Sequence, residues 1–138
     1  MRKINYFFAL AAFAVAACGQ TAEEKVKAFE ETHEAMMTEY SQTMDSLAND
    51  QVKAEEYYNQ FVEKYIAFNL ESAKKNADNE VAVQALLNLR GLIEDDQVEE
   101  VISKMSKEML ENEKVVFFKK GLDARKATAE GQMFTDFT

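Results

Sequence analysis

The chain has 138 residues, 47% of them apolar and 30% charged, which bounds it to one folded domain with a short appendage. It has no proline and only four glycines, a composition that argues against a turn-rich all-β fold and for helices. The 25 acids and 16 bases leave a net charge of -9, which disfavours nucleic acid, and a single cysteine with a single histidine argues against a disulfide framework, a zinc cluster or a CxxC pair.

Arg2 and Lys3 form a positive start, followed by an apolar run from Ile4 to Ala17. At about 14 residues the run is too short to span roughly 30 Å of hydrocarbon and suits a secretory signal instead. It closes on Val15-Ala16-Ala17-Cys18, which resembles the bacterial lipobox, in which the cysteine receives diacylglycerol before cleavage. The alternative is a plain signal peptide with a structural or coincidental Cys18. The position of the only cysteine favours lipidation. A mature chain starting at Cys18 carries 14 bases against 25 acids, a charge of -11, and is held at a bilayer by its acyl chains. Residues 1–17 are then the signal peptide and 18–20 the anchor with its short tether. Gly19, not aspartate, follows the cysteine, which favours the outer membrane of a cell envelope.

Residues 21–127 read as an all-α domain. Thr21 with Glu24 predicts a capping box. Val26, Phe29, His33, Met36, Met37, Tyr40, Met44 and Leu47 then recur at steps of three and four, one face of a long helix that Asn49-Asp50 ends. A second helix is predicted over 51–75, with Ala54, Tyr58, Phe61, Val62, Tyr65, Phe68 and Ala73 on its apolar side and Tyr57, Ile66 and Leu70 widening it. The polar turn between them makes an antiparallel hairpin.

Three shorter helices are expected after it. The first runs from Glu80 to about Ile93. Asp95 or Asp96 caps the next, whose stripe is Val98, Val101, Ile102, Met105 and Met109. Asn112 caps the last, with Val115, Phe118 and Leu122 at helical spacing, Gly121 a weak point and fraying near Ala127. Residues 128–138 differ: Gly131 breaks the pattern, and Met133 to Thr138 has the aromatic and threonine content of a strand.

Chemistry-bearing residues are few. Glu30 and His33 have the Glu-x-x-His spacing of carboxylate-bridged di-iron bundles, but such sites need two of these motifs, and the bland reading is a histidine at the edge of an apolar face. Methionines 36, 37, 44, 105, 109 and 133 offer thioethers for copper(I), yet five lie on helical stripes as core fillers. Asp95, Asp96, Glu99 and Glu100 read as helix-start acids and a solvated face rather than acid–base catalysts. Lys119, Lys120, Arg125 and Lys126 complement the end of the last helix. No cofactor is expected. Tyr57-Tyr58 and Phe117-Phe118 are adjacent pairs that a helix cannot turn fully inward, so a ring of each is a candidate surface for a protein partner.

The stretch Thr128 to Thr138, with Gly131, Phe134, Asp136 and Phe137, resembles the lead-in to the thioredoxin-like domain of TlpA-like and AhpC/TSA-type thiol-disulfide oxidoreductases. The upstream layout is similar to Bacteroides-type envelope lipoproteins in which a helical region precedes that domain. The resemblance implies an anchor and helical portion whose redox domain is missing, so that the strand at 133–138 is the first of an absent sheet. The family's Trp-Cys-x-x-Cys motif has no counterpart here, so no catalytic residue is carried over. The expected function is a lipid-anchored helical region that is inert by itself and holds a redox domain off the membrane or helps bind its clients. The alternative is a complete small lipoprotein that binds or scaffolds partners.

Overall fold

Thr21 opens the first helix as the sequence predicts. Its amide donates to Glu24 Oε2 at 2.8 Å, and its hydroxyl accepts from the Glu24 amide at 3.2 Å. The computed structural model describes residues 19–129, which form six helices: α1 (Ala22–Ser46), α2 (Gln51–Lys75), α3 (Glu80–Asn88), α4 (Asp95–Lys104), α5 (Lys107–Leu110) and α6 (Glu113–Ala129). No strand occurs among the described residues, and the fold is all-α. The signal segment, Cys18, and the junction residues Gly131, Phe134, Asp136 and Phe137 lie outside the described residues.

Asp50 caps α2 by accepting from the Lys53 amide at 3.2 Å, so two arms of 25 residues, each about 37 Å long, meet at a short turn. Rings set their register. Phe29 stacks on Phe68 with centroids 5.3 Å apart, His33 lies 5.6 Å from Tyr65, and Tyr40 lies 4.3 Å from Phe61 and 6.1 Å from Tyr57. Partners descend α2 as they climb α1, the signature of an antiparallel pair.

Asn79 caps α3, its side chain accepting from the Val81 amide at 3.0 Å. Val81, Ala82, Val83, Ala85, Leu86 and Leu89 are all within 1% of complete burial, so the helix lies at the centre, and only Glu80, Gln84, Leu87 and Asn88 keep a side toward solvent. It packs along α2 and touches α1 and α5, while α4 lies against α2 and α5 joins α3 to α6. Each large aliphatic side chain buried here contributes about 1.5–3 kcal/mol.

Three boundaries differ from the sequence reading. The helix predicted to reach Ile93 stops at Asn88 because Gly91, at φ +76°, turns the chain through the left-handed region. The cap of α4 falls on Glu94, whose amide donates to Gln97 Oε1 at 3.2 Å, leaving Asp95 and Asp96 in the first turn. The stripe from Val98 to Met109 is divided between two helices, so four short helices follow the hairpin instead of three. Ser106 divides it: its amide donates to the Ala77 carbonyl at 2.8 Å, and its hydroxyl accepts from the Met109 amide at 3.3 Å to cap α5. Met105 and Met109 remain buried despite the break.

The core joins Phe29 and Ala73 of the hairpin to α3, Val98, Val101, Ile102, Met105, Met109, Val115 and Leu122, with Val26, Phe68, Leu70, Ile93 and Phe118 at its margin. Leu47, Tyr57 and Phe61 are buried as well, but outside that cluster. The hairpin is therefore built in two parts: a base sunk in an aliphatic bundle, and a turn-end half packed on itself.

Candidate functional site

The adjacent aromatic pairs resolve into one ring in and one ring out. Tyr57 is 2% exposed and faces Tyr40, so its assignment to an interaction surface is corrected. Burial pushes its phenol pKa up, partly opposed by a hydrogen bond with Thr43. Tyr58 is 48% exposed. In the other pair, Phe118 is half-buried against the core, which corrects its assignment too, and Phe117 is 70% exposed. A step of 100° along a helix separates neighbours, so one core-facing side can take only one of each pair. The two outward rings sit apart, Tyr58 in the turn-end half of the hairpin and Phe117 near the start of α6.

His33 stands where the aromatic half of the hairpin meets the bundle. Its Nε2 lies 2.9 Å from the Tyr65 hydroxyl, its ring stacks on Phe29 at 6.3 Å, and burial lowers its pKa. Phe29, Glu30, His33, Gln84, Leu87 and Asn88 line a shallow cleft of about 200 Å³ beside it. Glu30 does not join His33 as a ligand pair. Its carboxylate accepts from Gln84 Nε2 at 2.9 Å, tying α1 to α3. No group of three potential metal ligands occurs among the described residues. Nor are the methionines gathered: Met105 and Met109 are in the core, whereas Met36, Met37 and Met44 lie along α1. Met133 lies outside the described residues.

Asp96, Glu99 and Glu100 of α4 are exposed and Asp95 is half-buried, and Asp95, Glu99 and Glu100 are also engaged in ion pairs. Asp95 holds Arg125 in a two-pronged pair, with Nη2 at 2.7 Å and Nε at 3.1 Å from Oδ1, and Glu99 pairs with Lys126. Glu100 accepts from Lys104 at 2.8 Å and Lys74 at 3.0 Å, and these two ammonium groups hold its pKa at about 2. A carboxylate so anchored stays ionised at neutral pH and has no proton to give. Arg125 beside Asp95 likewise lowers the Asp95 pKa.

Asn69 was not singled out by its sequence context, a polar residue between Phe68 and Leu70. It is fully buried, donates to the Tyr65 carbonyl at 2.9 Å, and accepts from Asn88 Nδ2 at 3.0 Å. It pins α3 onto α2. The one available signal was the amide itself, set among apolar neighbours on a face that should be apolar.

These polar groups serve packing, and each carries a protein partner. No described helix is long and apolar enough to cross a membrane. Comparison with known protein families, characterised proteins and solved structures finds no match to this chain.

Proposed function

We propose that this chain is the lipid-anchored helical region of a cell-envelope protein, tethered through Cys18 and not catalytic by itself, with a TlpA-like thiol-disulfide oxidoreductase domain following it. The observation that carries the tether is a spacing. The lipobox-like cysteine stands three residues before Thr21, the cap of α1, so only Gly19 and Gln20 separate it from a rigid helix. Two extended residues reach about 7 Å, which would hold the base of the hairpin close to the lipid. The redox context rests on the junction-like Gly131, Phe134, Asp136 and Phe137. The partners in this reading are the membrane and that domain or its clients.

Mass spectrometry of the protein purified from membranes tests the tether. A diacylated Cys18 at the amino terminus supports it; an unmodified thiol, or cleavage elsewhere, overturns it. The redox context is tested separately by sequencing the gene beyond codon 138. A continuation encoding CxxC supports it, and an immediate stop followed by unrelated sequence overturns it.

A second reading, a binding or scaffolding module complete in itself, is favoured by the outward Phe117 and Tyr58. Its mark would be a stoichiometric envelope partner that the wild-type chain retains and a Phe117→Ser, Tyr58→Ser chain loses.

A further inference from the structure

Leu122 is the last α6 residue that the core holds. It is 2% exposed, and past it no described side chain of the helix is buried. Extending the inner stripe by three and four residues reaches Arg125 and Lys126, where further apolar side chains would be needed to continue the packing. Both bases are instead paired across to α4, Arg125 with Asp95 and Lys126 with Glu99. Asp95 and Glu99 are four residues apart and so lie on one edge of α4. The holding of α6 thus changes character along its length, from hydrocarbon in the shared core at Val115, Phe118 and Leu122 to ion pairs with α4 at Arg125 and Lys126.

The change matters because the two kinds of contact respond oppositely to solvent. Exposed ion pairs are individually weak and are screened by salt, whereas apolar burial is not. We propose that the last two turns of α6, Asp123–Ala129, form a charge-latched arm. They dock on α4 at low ionic strength and leave it as salt rises, while the bundle beneath stays folded. This inference stands independently of the function proposed above.

Hydrogen exchange of the full chain, followed by mass spectrometry, tests the latch. Raising NaCl from about 0.01 M to about 1 M shortens the screening length from about 30 Å to about 3 Å. Amides of 123–129 should then lose protection about twofold to tenfold, with those of α3 unchanged as the internal reference. In Asp95→Asn, Glu99→Gln the same amides should be as open at low salt as the wild type is at high salt, and indifferent to salt. If that double variant folds poorly, Glu99→Gln alone should remove part of the salt response. The charge swap Glu99→Lys with Lys126→Glu should restore it. Protection that ignores salt in the wild type, an equal salt response in the neutral variants, or opening of α3 together with α6 would each overturn the proposal.

Discussion

The base and the turn-end half of the hairpin use the same two helices and solve burial differently. At the base, α1 and α2 press Val26, Phe29, Phe68, Leu70 and Ala73 onto the aliphatic side chains of α3 and its neighbours. Toward the turn they have only each other, and Tyr40, Tyr57 and Phe61 fill the space between. Two helices cannot enclose small side chains on their own, because each presents too narrow a stripe. Broad rings cover more surface per residue and make up the deficit. The polar links between the hairpin and the later helices follow the same division, since they use Glu30, Asn69 and Lys74, all on the base side of Tyr40 and Phe61. Burial shared by many elements should open only with the whole molecule, and burial shared by two should open locally.

The largest effect is expected at the shared core. Leu86 is 1% exposed on the central helix, and Leu86→Ala should cost about 3–5 kcal/mol in urea unfolding, with protection lost throughout the chain. Phe61→Ala should cost less, about 2–3 kcal/mol, because two arms can close partly on the space left. Its hydrogen-exchange signature sharpens the contrast. Amides between about residues 36 and 60 should open while those of α3 stay protected. If α3 opens equally, the hairpin and bundle are one cooperative unit and the division fails.

Asn69 tests the seam between the hairpin base and the central helix. Asn69→Ala leaves the Asn88 amide without its acceptor in a half-buried place, at a cost of about 1–2 kcal/mol. Asn69→Ala combined with Asn88→Ala should recover part of that loss, as a double-mutant cycle would measure.

Acid separates the parts further. Burial lowers the His33 pKa from 6.5, so the unfolded chain takes up a proton before the folded one as pH falls. The stability from a neutral His33 is therefore whole above 6.5 and lost as pH falls through the lowered folded-state value. Glu100 has the same sign in a lower window: its contribution is present above 4.5 and lost as pH falls toward about 2. Urea midpoints between about pH 7 and pH 5 should decline in the wild type and stay flatter in His33→Gln, which keeps a polar partner for Tyr65. Identical slopes in the two proteins would remove His33 from the account.

How much of this could be read beforehand depended on distance along the chain. The limits of α1 and α2 were legible because Thr21 and Asp50 cap their helices through residues three positions away. The break at Ser106 is hidden because its amide is satisfied by Ala77, in the distant turn between α2 and α3. Helical spacing alone places the two tyrosines the wrong way round, Tyr58 inward and Tyr57 to the side, because both fit a stripe. Only the position of Tyr40 on the opposing arm decides between them. The ion pairs of α4 with Arg125 and Lys126 were out of reach for the same reason. Their acids look like a helix start and a wet face until α6 is laid across them.

The smallest effect on stability is expected where the largest effect on binding would lie. Tyr58 and Phe117 face outward on the two parts of the molecule, one on the aromatic half of the hairpin and one on the bundle. Neither ring belongs to the buried core, so Tyr58→Ser and Phe117→Ser should each change unfolding free energy by less than about 0.5 kcal/mol. Phe117, at 70% exposure, is the ring that a bound surface would desolvate most, at a gain of roughly 1.5–3 kcal/mol. The two single variants therefore discriminate between the parts. If a partner is captured and only Phe117→Ser releases it, the bundle is the contact and the hairpin half is a spacer. If only Tyr58→Ser does, the roles are reversed, and the independent packing of the turn-end half would be what allows it to adapt to a partner without unsettling the core.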